Sequence, residues 1–231
     1  MIVYKLLSSE IGLKVLRELR IKVSLLDDLN DPFELFSVNL SGKEQRKGYR
    51  VLKKVLSENI GLLCFSKSYK NPLLWSHYGD KHKGVAIELG IIDASVEDVK
   101  YVKSRSKLDF NKLLNMPEQN KKRAFKKILT TKYESWVYEN ECRTILPKEE
   151  FYEEDKISYV DINAPGKSLM NSNVFLSGIV LGPLCKLSLK DIEEALPKGI
   201  STDVIKTRLA FNTFNVVKDK SYKLKEAHGR A

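Results

Sequence analysis

The feature that most constrains this chain is how its apolar residues are distributed. They come in short runs, about nine with strand character and about four or five with helical spacing, in irregular alternation. No steady βαβ rhythm appears, and neither a G-x-G-x-x-G nor a G-x-x-x-x-G-K-[ST] loop is present. Both absences argue against a doubly wound nucleotide fold, and the pattern predicts an α+β domain with a mixed, mainly antiparallel sheet. With 231 residues, 42% of them hydrophobic and 30% charged, the chain can bury a core of its own. The expected organisation is one domain over 1–231, with a basic helical segment at about 100–133.

Strands are expected over 2–7, 21–26, 61–68, 85–89, 136–146, 157–162, 178–182 and 203–211, with weaker ones over 98–104 and 214–219. Ser9 is the expected N-cap of a helix carrying Ile11, Val15, Leu16 and Leu19 inward. A second helix is expected over 43–57 on Val51, Leu52, Val55 and Leu56, and Pro72 suits the first position of a third. Pro117 should open a basic helix reaching about Tyr133, with Phe125, Ile128 and Leu129 inward. Ser188 and Asp191 have the spacing of a capping box.

No apolar run approaches the ~20 residues of a membrane span. The N-terminus lacks a basic start and an apolar stretch before a small-residue site, so no signal peptide is expected and the protein is read as cytoplasmic. Cys64, Cys142 and Cys185 are far apart in apolar settings and are expected as reduced, buried thiols. No Cys/His spacing suggests a metal, and His77 and His82, five positions apart, do not share a helix face.

The net charge is +10. Between Lys100 and Lys132 eleven Lys/Arg face only Asp109 and Glu118, a density that suits phosphate or nucleic acid as well as a solvated surface. Lys121, Lys122 and Arg123 lie at its centre.

Three segments carry chemistry. In "YENECR", Glu139, Glu141 and Arg143 alternate, so in one strand they share a face. They are either an ion-paired or solvated set, or the floor of a cleft where a carboxylate stabilises a developing cation. In "WSHYGDKHKG", Trp75, His77 and Tyr78 either stack a planar ring and bond a ribose or phosphate, or are ordinary core and helix residues. In "NDPFE", Asn30, Asp31 and Pro32 suit a tight turn.

Together, Asn30–Glu34, Leu73–Leu89 and Tyr138–Arg143 resemble the motifs of a large family of bacterial domains of unknown function, a likeness spanning about Val3 to Leu181. A more distant likeness is to the ADP-ribosyltransferase fold, particularly bacterial toxins that modify DNA. "VYKLLSSEIGLKVLREL" resembles the opening strand and helix of that fold, with Tyr4 and Lys5 where it has His or Arg. "YENECRTIL" resembles its glutamate strand, and Glu139-Asn140-Glu141 has the spacing of its E/Q-x-E pair. The likeness implies an NAD-dependent transferase, a toxin or phage-defence effector, with Glu141 and Glu139 catalytic and no metal. It implies cofactor contacts from Tyr4, Lys5, Trp75, His77, Tyr78 and Arg143. Asn30, Asp31, Lys121, Lys122 and Arg123 would then present the acceptor, DNA or RNA. The alternative is a non-catalytic nucleic-acid-binding module using the basic 100–132 region.

Overall fold

The computed structural model describes residues 1–31, 33–34, 37–107, 110–164 and 173–222. Pro32 of the expected turn lies outside them. In chain order the first elements are β1 (Ile2–Leu7), α1 (Ser9–Glu18), β2 (Arg20–Lys22), α2 (Lys43–Asn59), β3 (Ile60–Ser66), α3 (Pro72–His77) and β4 (Val85–Ile91). Then come β5 (Glu97–Asp98), β6 (Lys100–Val102), α4 (Phe110–Leu114), α5 (Glu118–Leu129), β7 (Thr131–Tyr133) and β8 (Glu141–Pro147). The chain continues with β9 (Tyr152–Glu154), β10 (Ile157–Asp161), β11 (Val174–Leu181), α6 (Leu189–Ala195), β12 (Asp203–Leu209) and β13 (Val216–Lys218).

The fold is α+β, as the irregular alternation requires. An eight-stranded sheet runs β13-β12-β11-β4-β1-β3-β8-β5, beside a three-stranded sheet β2-β10-β9 and a β6-β7 pair. Antiparallel pairing dominates, the β11-β12 and β6-β7 ladders being parallel. Among the described residues, no helix is long and apolar enough to cross a membrane. The three cysteines are free thiols.

Contacts divide the chain into two compact units. Unit 1 comprises Met1–Ile21, Phe65–Ala94 and Val160–Ala231. Its core is built on β1, β4 and β11, where Val3, Ile87, Leu89, Ile179 and Leu181 are buried. The N-cap of α1 is Ser8, one residue before the expected Ser9, and its hydroxyl accepts from the Ile11 amide. Gly12 lets the helix lie close to β4, since an added Cβ would come within 2.2 Å of Val85 Cγ2. Pro72 does open α3, capped by Asn71. The chain then leaves the helix through Asp80, Lys81 and His82, all at positive φ (45°, 52° and 71°). Three such residues in succession are costly for L-amino acids. The turn is fixed by the Lys83 amide donating to the Asp80 carbonyl and the Gly84 amide to the Gly79 carbonyl.

Unit 2 comprises Lys22–Cys64 and Ser95–Tyr159. Its core packs Leu52 and Leu56 of α2 and Ile128 and Leu129 of α5 around Leu26, Val38, Leu62 and Phe110. On α2, Val51 and Val55 are exposed and Tyr49 is buried instead, so the inward stripe is rotated from the expected one. The expected strand over 136–146 is corrected. Glu134–Glu139 form a 3-10 helix that ends at Asn140 in the left-handed region (φ 45°, ψ 49°), and the strand begins only at Glu141. The basic helix likewise stops at Leu129, with Thr131–Tyr133 extended. The expected 21–26 strand shortens to Arg20–Lys22.

Candidate functional site

The polar centre of unit 2 is a buried cluster of Glu34, Lys132, Glu139, Glu141 and Arg143, each at most 7% exposed. Its members come from three places. Glu34 follows a turn in which Asp31 Oδ1 accepts from the Phe33 amide and the Asp31 carbonyl accepts from the Glu34 amide. This is the Asx turn expected of "NDPFE". Lys132 comes from β7, just past α5. Glu139 ends the 3-10 helix, and the left-handed Asn140 turns the chain so that Glu141 and Arg143 enter β8 on one face.

The bonding is dense. Arg143 Nε donates to Glu141 Oε1 at 2.7 Å and Nη2 to Glu141 Oε2 at 3.0 Å, a bidentate fork. Nη2 also donates to Glu34 Oε1, and Nη1 to the Leu129 carbonyl at 2.7 Å. Lys132 Nζ donates to Glu139 Oε2 at 2.6 Å and Glu141 Oε2 at 3.2 Å. Burial alone would raise the Glu141 carboxyl. Arg143 and then Lys132 outweigh it and hold the group at about 2. Burial works to lower the Lys132 ammonium, and Glu141, Glu34 and Glu139 together raise it above the ordinary lysine value. Glu141 therefore does what the plainer reading of "YENECR" required: it pairs with Arg143.

One atom is left over. Glu34 Oε2 is buried and accepts no hydrogen bond, standing 3.6 Å from Lys132 Nζ. Glu34 and Lys132 also line a cavity of about 250 Å³ whose other walls include Phe33, Trp136, Tyr133 and Arg105. The Lys132 ammonium lies 4.6 Å from the Trp136 ring centroid. A second cavity of about 580 Å³ shares Phe33 and Arg105 as walls and adds Arg46 and Arg50. The cluster holds three carboxylates against two cations, Asp31, Lys103 and Arg105 add one negative and two positive charges to the lining of the first cavity, and Arg46, Arg50 and Arg105 border the second.

The other sequence candidates fall as follows. Asn30 is exposed and Asp31 buried, the latter lining the first cavity. Lys122 and Arg123 are exposed on α5 and Lys121 is half-buried. In unit 1, Trp75 is fully buried and its Nε1 donates to the Tyr69 carbonyl at 2.6 Å, the arrangement of a core aromatic. His77 is exposed and meets Tyr78 at 6.2 Å between centroids. Lys5 sits 5.8 Å from the Phe65 ring centroid. Tyr4 faces Glu88 across β1 and β4 and packs edge-on against Tyr69 at 5.1 Å. Burial first, and Glu88 second, push its phenol up to about 12. Glu88 also accepts from Ser177 Oγ at 3.0 Å.

Sequence reasoning did not assign Glu34, Lys132 or Trp136 to a site. Glu34 closes the quoted "NDPFE" motif, which was a signal in plain view. Lys132 had none, being one more cation in a basic run.

No model of a protein family matches the chain, and neither a curated protein nor a solved structure does so.

Proposed function

We propose that the chain is an NAD-dependent ADP-ribosyltransferase-like enzyme whose dinucleotide site is the pair of adjoining cavities in unit 2. The observation that carries this reading is Glu34 Oε2, a buried carboxylate oxygen without a hydrogen bond beside an aromatic-walled cavity. Lys132 offsets its charge from 3.6 Å without a hydrogen bond, and a ligand's donor would complete it. The nicotinamide of NAD is a planar cation. It suits a cavity with Trp136 and the Glu34 carboxylate in its wall. The phosphates suit the neighbouring cavity with Arg46, Arg50 and Arg105.

In this reading the N-glycosidic bond breaks, nicotinamide leaves with the bonding electrons, and the ribose carbon, with oxocarbenium character, bonds to an acceptor oxygen or nitrogen that releases its proton to solvent. Glu34 stabilises the oxocarbenium electrostatically. Glu141 and Glu139 act behind it: by pairing with Arg143 and Lys132 they position Glu34. This moves the cavity-facing role from Glu141, where the resemblance put it, to Glu34. The test is nicotinamide release from NAD by purified protein, alone and with DNA, RNA or cell lysate as acceptor. Release that is abolished by Glu34→Gln supports the reading; absence of release under all these conditions overturns it.

A second reading has its own support. The exposed Lys122 and Arg123 on α5 offer phosphate contacts without any chemistry, as in a nucleic-acid-binding module. Oligonucleotide binding that falls steeply with salt and survives Glu34→Gln would favour it.

A further inference from the structure

The β12–β13 hairpin of unit 1 ends in the tip Ala210–Asn215, closed by the Ala210 amide donating to the Asn215 carbonyl at 2.9 Å. Phe211 and Phe214 stand on it 92% and 96% exposed, and Leu209 beside them is 56% exposed. Single exposed apolar residues are ordinary. Two phenylalanines three positions apart, both almost wholly in water, form a patch that calls for a partner.

The surroundings say which kind. Arg208 holds its guanidinium 4.3 Å from the Phe211 centroid. Lys218 and Lys220 add charge on the returning arm; the Asp219 carboxylate between them accepts from the Ser221 amide and hydroxyl and keeps its negative charge, so the three cations outnumber it. Between and beside the rings stand Asn212, Thr213 and Asn215. A cavity of about 630 Å³ lies against the tip, with Pro72 and His82 in its wall.

We propose that this tip is a stacking platform for single-stranded nucleic acid, with Phe211 and Phe214 stacking bases and Arg208, Lys218 and Lys220 meeting phosphates. Exposed rings flanked by cations are what sequence-tolerant single-strand binding uses. The exposed Asn212 amide offers a donor and an acceptor to base edges, while Asn215 Nδ2 donates to Thr213 Oγ1 at 3.3 Å. In a lipid bilayer the same amides would lose their hydrogen bonds to water, which disfavours membrane insertion. A second copy would bring like charges together on a chain of net charge +10. The proposal rests on unit 1 and is independent of the NAD reading of unit 2.

The experiment is fluorescence anisotropy of the full chain with labelled oligo-dT and oligo-rU of about 20 nucleotides and with a blunt duplex, at two salt concentrations. Because the rings are exposed, Phe211→Ala/Phe214→Ala should leave the melting temperature unchanged. The expected result is single-strand binding that exceeds duplex binding, weakens with salt, and falls about ten-fold or more in the double variant. Single-strand affinity within two-fold of the parent in a folded double variant would overturn it. So would Phe-dependent sedimentation with phosphatidylglycerol vesicles in a protein that binds no oligonucleotide. A dimer on size exclusion that the double variant dissolves, again without oligonucleotide binding, would equally reassign the tip.

Discussion

Arg143 and Glu34, 109 positions apart in the sequence, are bonded to each other inside unit 2. The bond joins the end of the "NDPFE" turn to the "YENECR" strand. Two of the three motifs singled out by sequence are thus parts of one charged cluster. Its two cations are shared among three carboxylates, so the loss of either cation strands buried negative charge.

Arg143→Met should accordingly be among the most damaging substitutions in unit 2. It removes the fork on Glu141 and the Nη2 bond to Glu34, and breaking a buried pair from one side costs about 3–5 kcal/mol. Arg143→Lys keeps the charge but loses the bidentate geometry, and should cost less. Urea unfolding midpoints of the two variants check the order. Equal stability of Arg143→Met and the parent would contradict the cluster as described.

Acid should weaken this cluster in a defined window. The folded Glu141 carboxyl is depressed to about 2 from an ordinary value of 4.5, chiefly because Arg143 outweighs the effect of burial. A depressed carboxyl contributes stability above its unfolded value, and that contribution disappears as pH falls from about 4.5 to about 2. Lys132 behaves oppositely. Its raised value means its contribution holds below the ordinary lysine range and is lost only at more alkaline pH. Unfolding free energy measured between pH 6 and pH 2 should decline, and Glu141→Gln should flatten part of the decline.

The left-handed turn of unit 1 makes a prediction of the opposite sign. Lys81 is exposed at φ 52°, where a side chain is disfavoured and glycine is not. Lys81→Gly should stabilise by up to about 1 kcal/mol, once the greater freedom of glycine in the unfolded chain is set against the relief. Thermal melting checks this, and a loss of stability would mean the Lys81 side chain has a role its exposure conceals.

What was legible in the sequence was mostly local. Alternation placed β1, and Ser188 with Asp191 does make its capping box on α6. Asp31 does cap its turn, because an Asx side chain needs only the amides two residues on. The run from Trp136 to Leu146 was not legible as a strand boundary, because the deciding residue is Asn140. Asparagine is among the few residues that adopt the left-handed conformation readily, so the break was written there in one letter. Burial of Lys132 could not be read at all. It follows from three carboxylates brought together from separate segments, and no spacing within the chain expresses that. The hairpin tip was hidden differently. Strand patterning over 203–211 absorbed Phe211 as a strand residue, whereas the strand ends at Leu209 and the ring projects into solvent.

The central proposal is that the paired cavities of unit 2 hold NAD with its nicotinamide against Glu34. Isothermal titration of the full chain with NAD, and in parallel with NADH, tests it most directly because the two ligands differ in the charge of the ring. Binding of NAD should exceed that of NADH, and Trp136→Ala and Glu34→Gln should each weaken NAD by about ten-fold or more while thermal melting shows both folded. No binding of NAD by the parent protein, or equal binding by the folded variants, would contradict it.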